Sequence, residues 1–343
     1  VRNHPLFHIT KAKFLEFVRE PEAIFWVLVF PVLLSLALGV AFRSKPADRI
    51  AVAVEAREGA DRIREALASD RGLLPRVLPE SEAREALRTG RVAVVVVPGS
   101  PLVYRFDPAR DESRVARLAA DAAIQRAAGR SDPRATANLE TNEPGGRYID
   151  FLVPGLLGMN LMGTGMWGIG FAIVTARSRG LVKRMIATPM RRRHYLAGQM
   201  LGRMVFLVPE VAVLVGFAHF AFGVPMKGTF AGFAVVTLLG AIAFTGIGLV
   251  VAARPRTVEG VSGLMNFVML PMWVFSGVFF SPARFPDALQ PAIRLLPLTA
   301  LNDALRAVMI DGKPLLALSQ ELAVVAAWGA LSFAVALKIF RWK

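Results

Sequence analysis

The chain is 343 residues long, 54% hydrophobic, without cysteine and with a formal net charge of +15. Its mean hydropathy is +0.48, and the apolar excess lies in blocks, as in a series of membrane spans rather than one large soluble core. The lack of cysteine excludes a disulfide framework, a thiolate metal site and a cysteine nucleophile, and four scattered histidines (His4, His8, His194, His219) argue against a multi-histidine metal site.

Such a charge would suit nucleic acid, but its distribution does not. Residues 43–147 hold 19 Lys/Arg against 16 Asp/Glu, whereas the apolar remainder holds 22 against 10. A cationic excess in the apolar part is what the positive-inside rule predicts for cytoplasmic loops. No nucleic-acid partner is expected.

In chain order, residues 1–22 come first. Leu6, Phe7, Ile9, Phe14, Leu15, Phe17 and Val18 fall largely on one helical face, with Lys11, Lys13, Arg19 and Glu20 off it. This predicts an amphipathic helix at the membrane surface; an ordinary helix packed on protein is the alternative. Residues 23–42 predict the first span, about 30 Å of helix, with Pro31 placed to kink it. No convincing small-residue cleavage site follows, so a retained anchor is expected rather than a signal peptide.

Residues 43–147 change character, with dense charge and short apolar runs. IAVAVEA (50–56), RVAVVVVPG (91–99) and LVYRF (102–106) predict strands, and ADRIREALASD, SEAREALRTG and ESRVARLAADAAIQRAA predict helices. The last of these has Val115, Leu118, Ala119 and Ala122 on one stripe. Strands alternating with helices predict a small α/β domain, and residues 129–147 predict its exit linker.

From residue 148 the apolar blocks resume. Further spans are predicted at about 151–176, 195–222, 230–253, 258–280 and 322–340. The first of these is rich in glycine (Gly155, Gly158, Gly163, Gly165, Gly168, Gly170), which suits close helix approach more than any pore-lining role. Residues 281–315 carry five prolines yet stay half apolar, the pattern of half-helices that enter the membrane and return where protein buries their backbone. The expected fold is an α-helical polytopic membrane protein of six transmembrane helices, with an inserted extracytoplasmic α/β domain and a re-entrant hairpin before the last span.

The loop 176–194 is the most basic stretch, with Arg177, Arg179, Lys183, Arg184, Arg191, Arg192 and Arg193 and no acidic residue. Together with the basic N-terminal segment, Arg254, Arg256 and the C-terminal cations, it places both termini in the cytoplasm and residues 43–147 outside. Within the loop, Gly180 can open a helix and Thr188-Pro189 close it. Leu181, Val182, Met185 and Ile186 would form an apolar face opposite Arg179, Lys183 and Arg184. Anchoring to anionic lipid needs only the charge; the capped apolar stripe adds a docking helix for a cytoplasmic partner.

No GxxxxGK[ST] loop, HExxH or GxSxG motif is present, so no enzymatic activity is expected of this chain itself. Three ionisable groups fall in the third span: Arg203, Glu210 and His219. Such groups are costly in hydrocarbon and are functional or paired. Seven residues separate Arg203 from Glu210, about 10 Å along the axis, so they share a face but are expected to need partners on other helices. Glu210 is either a relay or a buried contact between helices.

The layout and several strings resemble the permease subunits of ABC-2 type transporters, in the variant with a large extracytoplasmic domain between the first two spans. RSRGLVKRMIATPMRRRHYLAGQ looks like the family's stretch after the second span, with Arg179, Gly180, Arg184, Thr188 and Pro189 matching; Ser178 and Lys183 stand where glutamates are common. PMWVFSGVFFSPARFPDALQPAIRLLPLTALNDALRAVM resembles its fifth span and re-entrant hairpin, and EAREALRTGRVAVVVVPG with FDPARDESRVARLA its outer domain. The resemblance implies a homo- or heterodimer in a bacterial cytoplasmic membrane, each copy docked on a cassette ATPase (two per complex) through Arg177, Arg179, Gly180, Lys183, Arg184, Met185, Thr188 and Pro189. ATP and magnesium would sit on the ATPase, and this chain would hold no cofactor. Substrate would pass a dimer interface lined by the second and fifth spans, including Gly155, Gly158, Asn160, Asn266, Met269 and Phe275. A proton-coupled transporter using Glu210 and a receptor sensing through the outer domain are the alternatives.

Overall fold

The computed structural model describes residues 15, 19–41, 49–131, 134, 145–181 and 192–339. The interfacial helix expected before residue 22 and the loop residues Lys183, Arg184, Met185, Thr188 and Pro189 lie outside them, save for Leu15 and residues 19–21. Two compact units emerge: Ser44–Thr141, and Val1–Arg43 together with Asn142–Lys343.

In the first unit an open four-stranded sheet has the order β2-β1-β3-β4. Its strands are β1 (Ile50–Glu55), β2 (Leu73–Leu78), β3 (Val94–Val97) and β4 (Val103–Phe106). β1 runs parallel to β2 and β3, and β3 antiparallel to β4. The helices are α3 (Ala60–Ala68), α4 (Glu80–Arg88) and α5 (Asp111–Ala127). Val52, Val54, Val94 and Val96 pack against α3 and α5; Ala53, Val95 and Val97 pack against α4. Both faces of β3 are therefore covered, which is why it reads as an unbroken valine run.

Two expectations need correction here. β2, with the sequence LLPRVL, was not anticipated. Pro75 cannot donate to a ladder, and β2 is an edge strand, where a proline is tolerated. The stripe expected on α5 is out of phase. Val115 and Leu118 are exposed, and Ser113, Ala116, Ala120 and Ala123 are buried instead. Small alanines let α5 approach the sheet closely, so size rather than hydrophobicity selects its inner face.

The second unit begins with α1 (Pro21–Ile24), a π-helical turn (Phe25–Val29) and α2 (Phe30–Ala41). Pro31 has no N–H, so the Val27 carbonyl lacks its usual helical donor. The chain answers with a π register, in which Phe30 N–H reaches Phe25 O. Then follow α6 (Tyr148–Ser178), α7 (Arg192–Phe222), α8 (Phe230–Ala252) and α9 (Val258–Phe275). Residues 281–318 break, as the prolines predict, into 3-10 turns at Pro282–Arg284, Asp287–Leu289 and Leu315–Leu318, with α10 (Gln290–Arg294) and α11 (Pro297–Met309) between them. α12 (Ser319–Ile339) closes the described chain.

Among the described residues five helices are long and apolar enough to cross a membrane: α6, α7, α8, α9, and Leu315–Ile339; the apolar stretch Phe25–Ala41 is shorter. In α6 and α8 61% of the apolar window is buried, against 22% in the other three. α6 and α8 are thus the centre of the unit, and the others present apolar side chains outward, as helices facing lipid do.

Candidate functional site

α6 is tied to its neighbours at every level by polar contacts, each with a local cause. At its start Asp150, fully buried, accepts from Gly145 N–H (2.8 Å) and Arg147 N–H (3.2 Å). A carboxylate here caps the helix and complements its dipole. Arg147 binds Asp150 (2.8 Å) and donates to the Phe222 and Gly223 carbonyls, at 2.9 and 3.2 Å. Those are the free carbonyls at the end of α7, which Gly223 (φ +63) terminates by bonding back to His219 O in an αL cap. Arg147 therefore ties the start of α6 to the end of α7.

One turn further, the Arg306 guanidinium from α11 lies 3.8 Å over the Phe151 ring and donates to Phe151 O (3.3 Å) and to Gly277 O. Asn302, fully buried, donates to Ser276 O at 2.8 Å. The glycines expected along a path lie in this packing. A Cβ on Gly155 would come within 2.6 Å of Val278 O, and one on Gly158 would overlap Asn302. Both positions thus admit α11 and the chain after α9, and neither faces outward.

Midway, Asn160 Nδ2 donates to Val27 O (3.2 Å), the carbonyl whose usual donor four residues on is Pro31. Thr164 lies one turn on. Its single hydroxyl proton can serve Asn160 O at 2.7 Å or Glu210 Oε1 at 3.0 Å, while it accepts from Arg203. Arg203 Nη2 stands 2.6 Å from Glu210 Oε2, with both side chains buried. This corrects the expectation that the two could not meet. Their spacing is nearly two helical turns, so they share a face. The glutamate leans toward the helix N-terminus, as helical side chains do, and the long arginine spans the rest.

At the other end Arg177 donates to Ala252 O (3.3 Å), Ala253 O (3.0 Å) and Pro255 O. It caps the last carbonyls of α8 rather than projecting freely from a loop. Gly180 sits just beyond the end of α6 with φ +68 and ends this helix. Of the fifth-span residues, Met269 is buried, Phe275 half-buried and Asn266 exposed beside Phe267 and Leu270. Asn266 thus lies at the exposed edge of the stripe of α9 that buries Val261, Met265, Met269 and Met272. Among the described residues no group of three His, Cys, Asp or Glu side chains could hold a metal ion.

A central apolar helix, cross-braced to its neighbours, in a multi-pass unit with an inserted sheet domain defines a polytopic α-helical membrane protein. The family signature described as ABC-2 family transporter protein matches residues 21–338, and the chain belongs to that family. It is similar to ABC transporter G family member 20 of Dictyostelium discoideum, 27% identical over 49% of this chain and 23% of that protein. It is also similar to the linearmycin resistance permease protein LnrN of Bacillus subtilis, 25% identical over 51% of this chain and 46% of that one. Inner membrane transport permease YhhJ of Escherichia coli is 24% identical over 50% and 46% respectively. The chain thus matches about half the length, or less, of these curated relatives.

Proposed function

We propose that this chain is the membrane subunit of an ATP-driven exporter in a bacterial cytoplasmic membrane, moving a hydrophobic or amphipathic molecule outward. Membership of the family implies association with a cassette ATPase and with membrane lipid; two ATPases and a second permease copy complete the complex in this reading. The observation that carries it is α6. One end leads into the basic loop 176–194, and its other levels are bonded to the first apolar helix, to α7 and α8, and to α11. A push on the loop by a cytoplasmic ATPase therefore reaches every one of those elements through one braced rod. Residues 23–42 count as the sixth span, with Pro21 to Ala41 measuring about 31 Å at the α-helical rise. Residues 281–315 form the re-entrant hairpin, and 43–147 face outward. The resistance and transport permeases among the relatives support an efflux role.

Met185→Lys with Ile186→Asn places polar groups on the apolar stripe that the sequence predicts for the loop, without removing a cation. Wild-type protein is expected to co-purify with the cassette ATPase encoded beside it and to alter its ATP hydrolysis; the double variant inserts normally but loses that effect. If wild-type protein recruits no ATPase, the exporter reading fails. If only the variant result fails, the loop is a lipid anchor and coupling lies elsewhere. The Glu210 ion pair argues against the proton-coupled alternative, because a relay carboxylate must take up a proton as well as release one, and the arginine beside it stabilises only the ionised form.

A further inference from the structure

We propose that the N-terminal half of the first apolar helix, residues 21–29, is a swing arm, hinged at the π-helical turn and latched to α6 by Asn160. The two halves of this helix are held very differently. In α2, Pro31, Ser35 and Gly39 are buried along one stripe. A Cβ on Gly39 would come within 2.7 Å of the Phe222 ring and 3.0 Å of Ile149, so this half is seated tightly on the start of α6 and the end of α7. Before Pro31, no described side chain from residue 19 onward is buried. Phe25, Trp26 and Val29 are 42%, 60% and 41% exposed.

Two causes of bending meet where the halves join. A π turn and a proline are among the few local features at which helices kink by more than about 20°, and here they occupy Phe25–Val29 and Pro31. One polar bond holds the junction from outside. Among the described residues, the side-chain hydrogen bond that reaches residues 19–30 from another helix is the one from Asn160 Nδ2 to Val27 O. α7 passes beside the turn and adds packing only. Asn160 is buried and rides on α6, so the position of α6 decides whether the arm is held. Under the exporter reading a stroke of α6 opens the latch. The hinge itself requires only that this helix lie in a bilayer, so it stands or falls separately from ATP-driven transport.

The chain has no cysteine, so spin labels attach only where cysteines are introduced. Glu22→Cys with Leu331→Cys measures the arm against α12, and Leu36→Cys with Leu331→Cys measures the seated half; all three positions are exposed. Pulsed electron resonance on the full chain in lipid nanodiscs is expected to show one dominant narrow distance for each pair. Asn160→Leu should displace part of the arm-pair signal by about 4 Å, as an arm of about 12 Å turns through about 20°. That second population should rise about fivefold, the effect of one net hydrogen bond, with the seated pair unchanged. Adding Pro31→Ala gives Val27 O a donor within its own helix and should remove the second population. Asn160→Ala gives the same reading if the leucine variant does not insert. An arm-pair distance untouched by both Asn160 variants would mean that packing on α7 holds the arm, and would overturn the latch. Displacement of both pairs together would show the whole helix leaving α6, and would overturn the hinge. A broad arm-pair distribution with Asn160 in place would show that its bond holds nothing.

Discussion

Glu210→Gln removes the negative partner of Arg203 while keeping the shape of the side chain. The pair is 2.6 Å apart, with Arg203 7% and Glu210 0% exposed. At an effective dielectric of about 20 that distance corresponds to about 6 kcal/mol of gross attraction. Desolvation offsets part of it, and deleting one member of a buried pair costs about 3–5 kcal/mol because the other charge is stranded. Glu210→Gln and Arg203→Met should each lose about that much, the first slightly less because the amide oxygen can still accept. The double variant Arg203→Met with Glu210→Leu should return to within about 1 kcal/mol of wild type, since two apolar residues strand nothing. Reversible unfolding of the purified protein in bicelles, followed by tryptophan fluorescence, measures all four corners of the cycle. A loss below about 1 kcal/mol for either single variant would refute the reasoning, because a pair in a wet cavity behaves like an exposed one.

Other perturbations probe the remaining braces. Gly155→Val drives side-chain carbon toward the Val278 carbonyl, which a Cβ alone would approach to 2.6 Å; a loss of about 1–3 kcal/mol is expected in the same unfolding assay, with Gly216→Val, whose Cβ meets open space, costing less. Arg177→Gln withdraws the charge that caps α8 at Ala252, Ala253 and Pro255; hydrogen exchange should rise in the last turn of α8 but not at its start. In the sheet domain, burial and the hydrogen bond to Asp121 push the Tyr104 phenol well above its ordinary range. The folded form therefore holds its proton more tightly than the unfolded one, and this stabilisation is complete below the ordinary tyrosine range and lost as pH rises through the higher folded value. Asp121→Asn should bring that titration down toward the ordinary range, followed by tyrosinate absorbance.

Long apolar runs with sharp ends were legible, because lipid imposes length and composition on a span directly. So were the prolines that break residues 281–318. The ties between helices were not. Arg306 sits in a half-polar stretch that gives no hint of its seat over Phe151, and Arg177 reads as one more basic loop residue. The Arg147–Asp150 pair did leave a trace, an acidic residue three positions into an apolar helix, the pattern of a cap. The α5 stripe misled because Val115 and Leu118 outrank alanine in hydrophobicity, while the sheet required small side chains. Counting rise alone hid the Arg203–Glu210 contact, since it ignored the reach of both side chains.

The Val27 carbonyl sets an order on how the protein is made. Pro31 denies it the usual donor four residues on, and Asn160 supplies one. The asparagine lies more than a hundred residues later in the chain, beyond the whole sheet domain. In the proposed six-span topology, the first helix therefore enters the membrane with this acceptor short of its usual donor, at a cost in hydrocarbon. Until α6 arrives, that helix is better sheltered beside the insertion machinery than released into lipid. Asn160→Leu should thus prolong the time nascent chains remain crosslinked to that machinery, a defect of biogenesis distinct from any loss of transport.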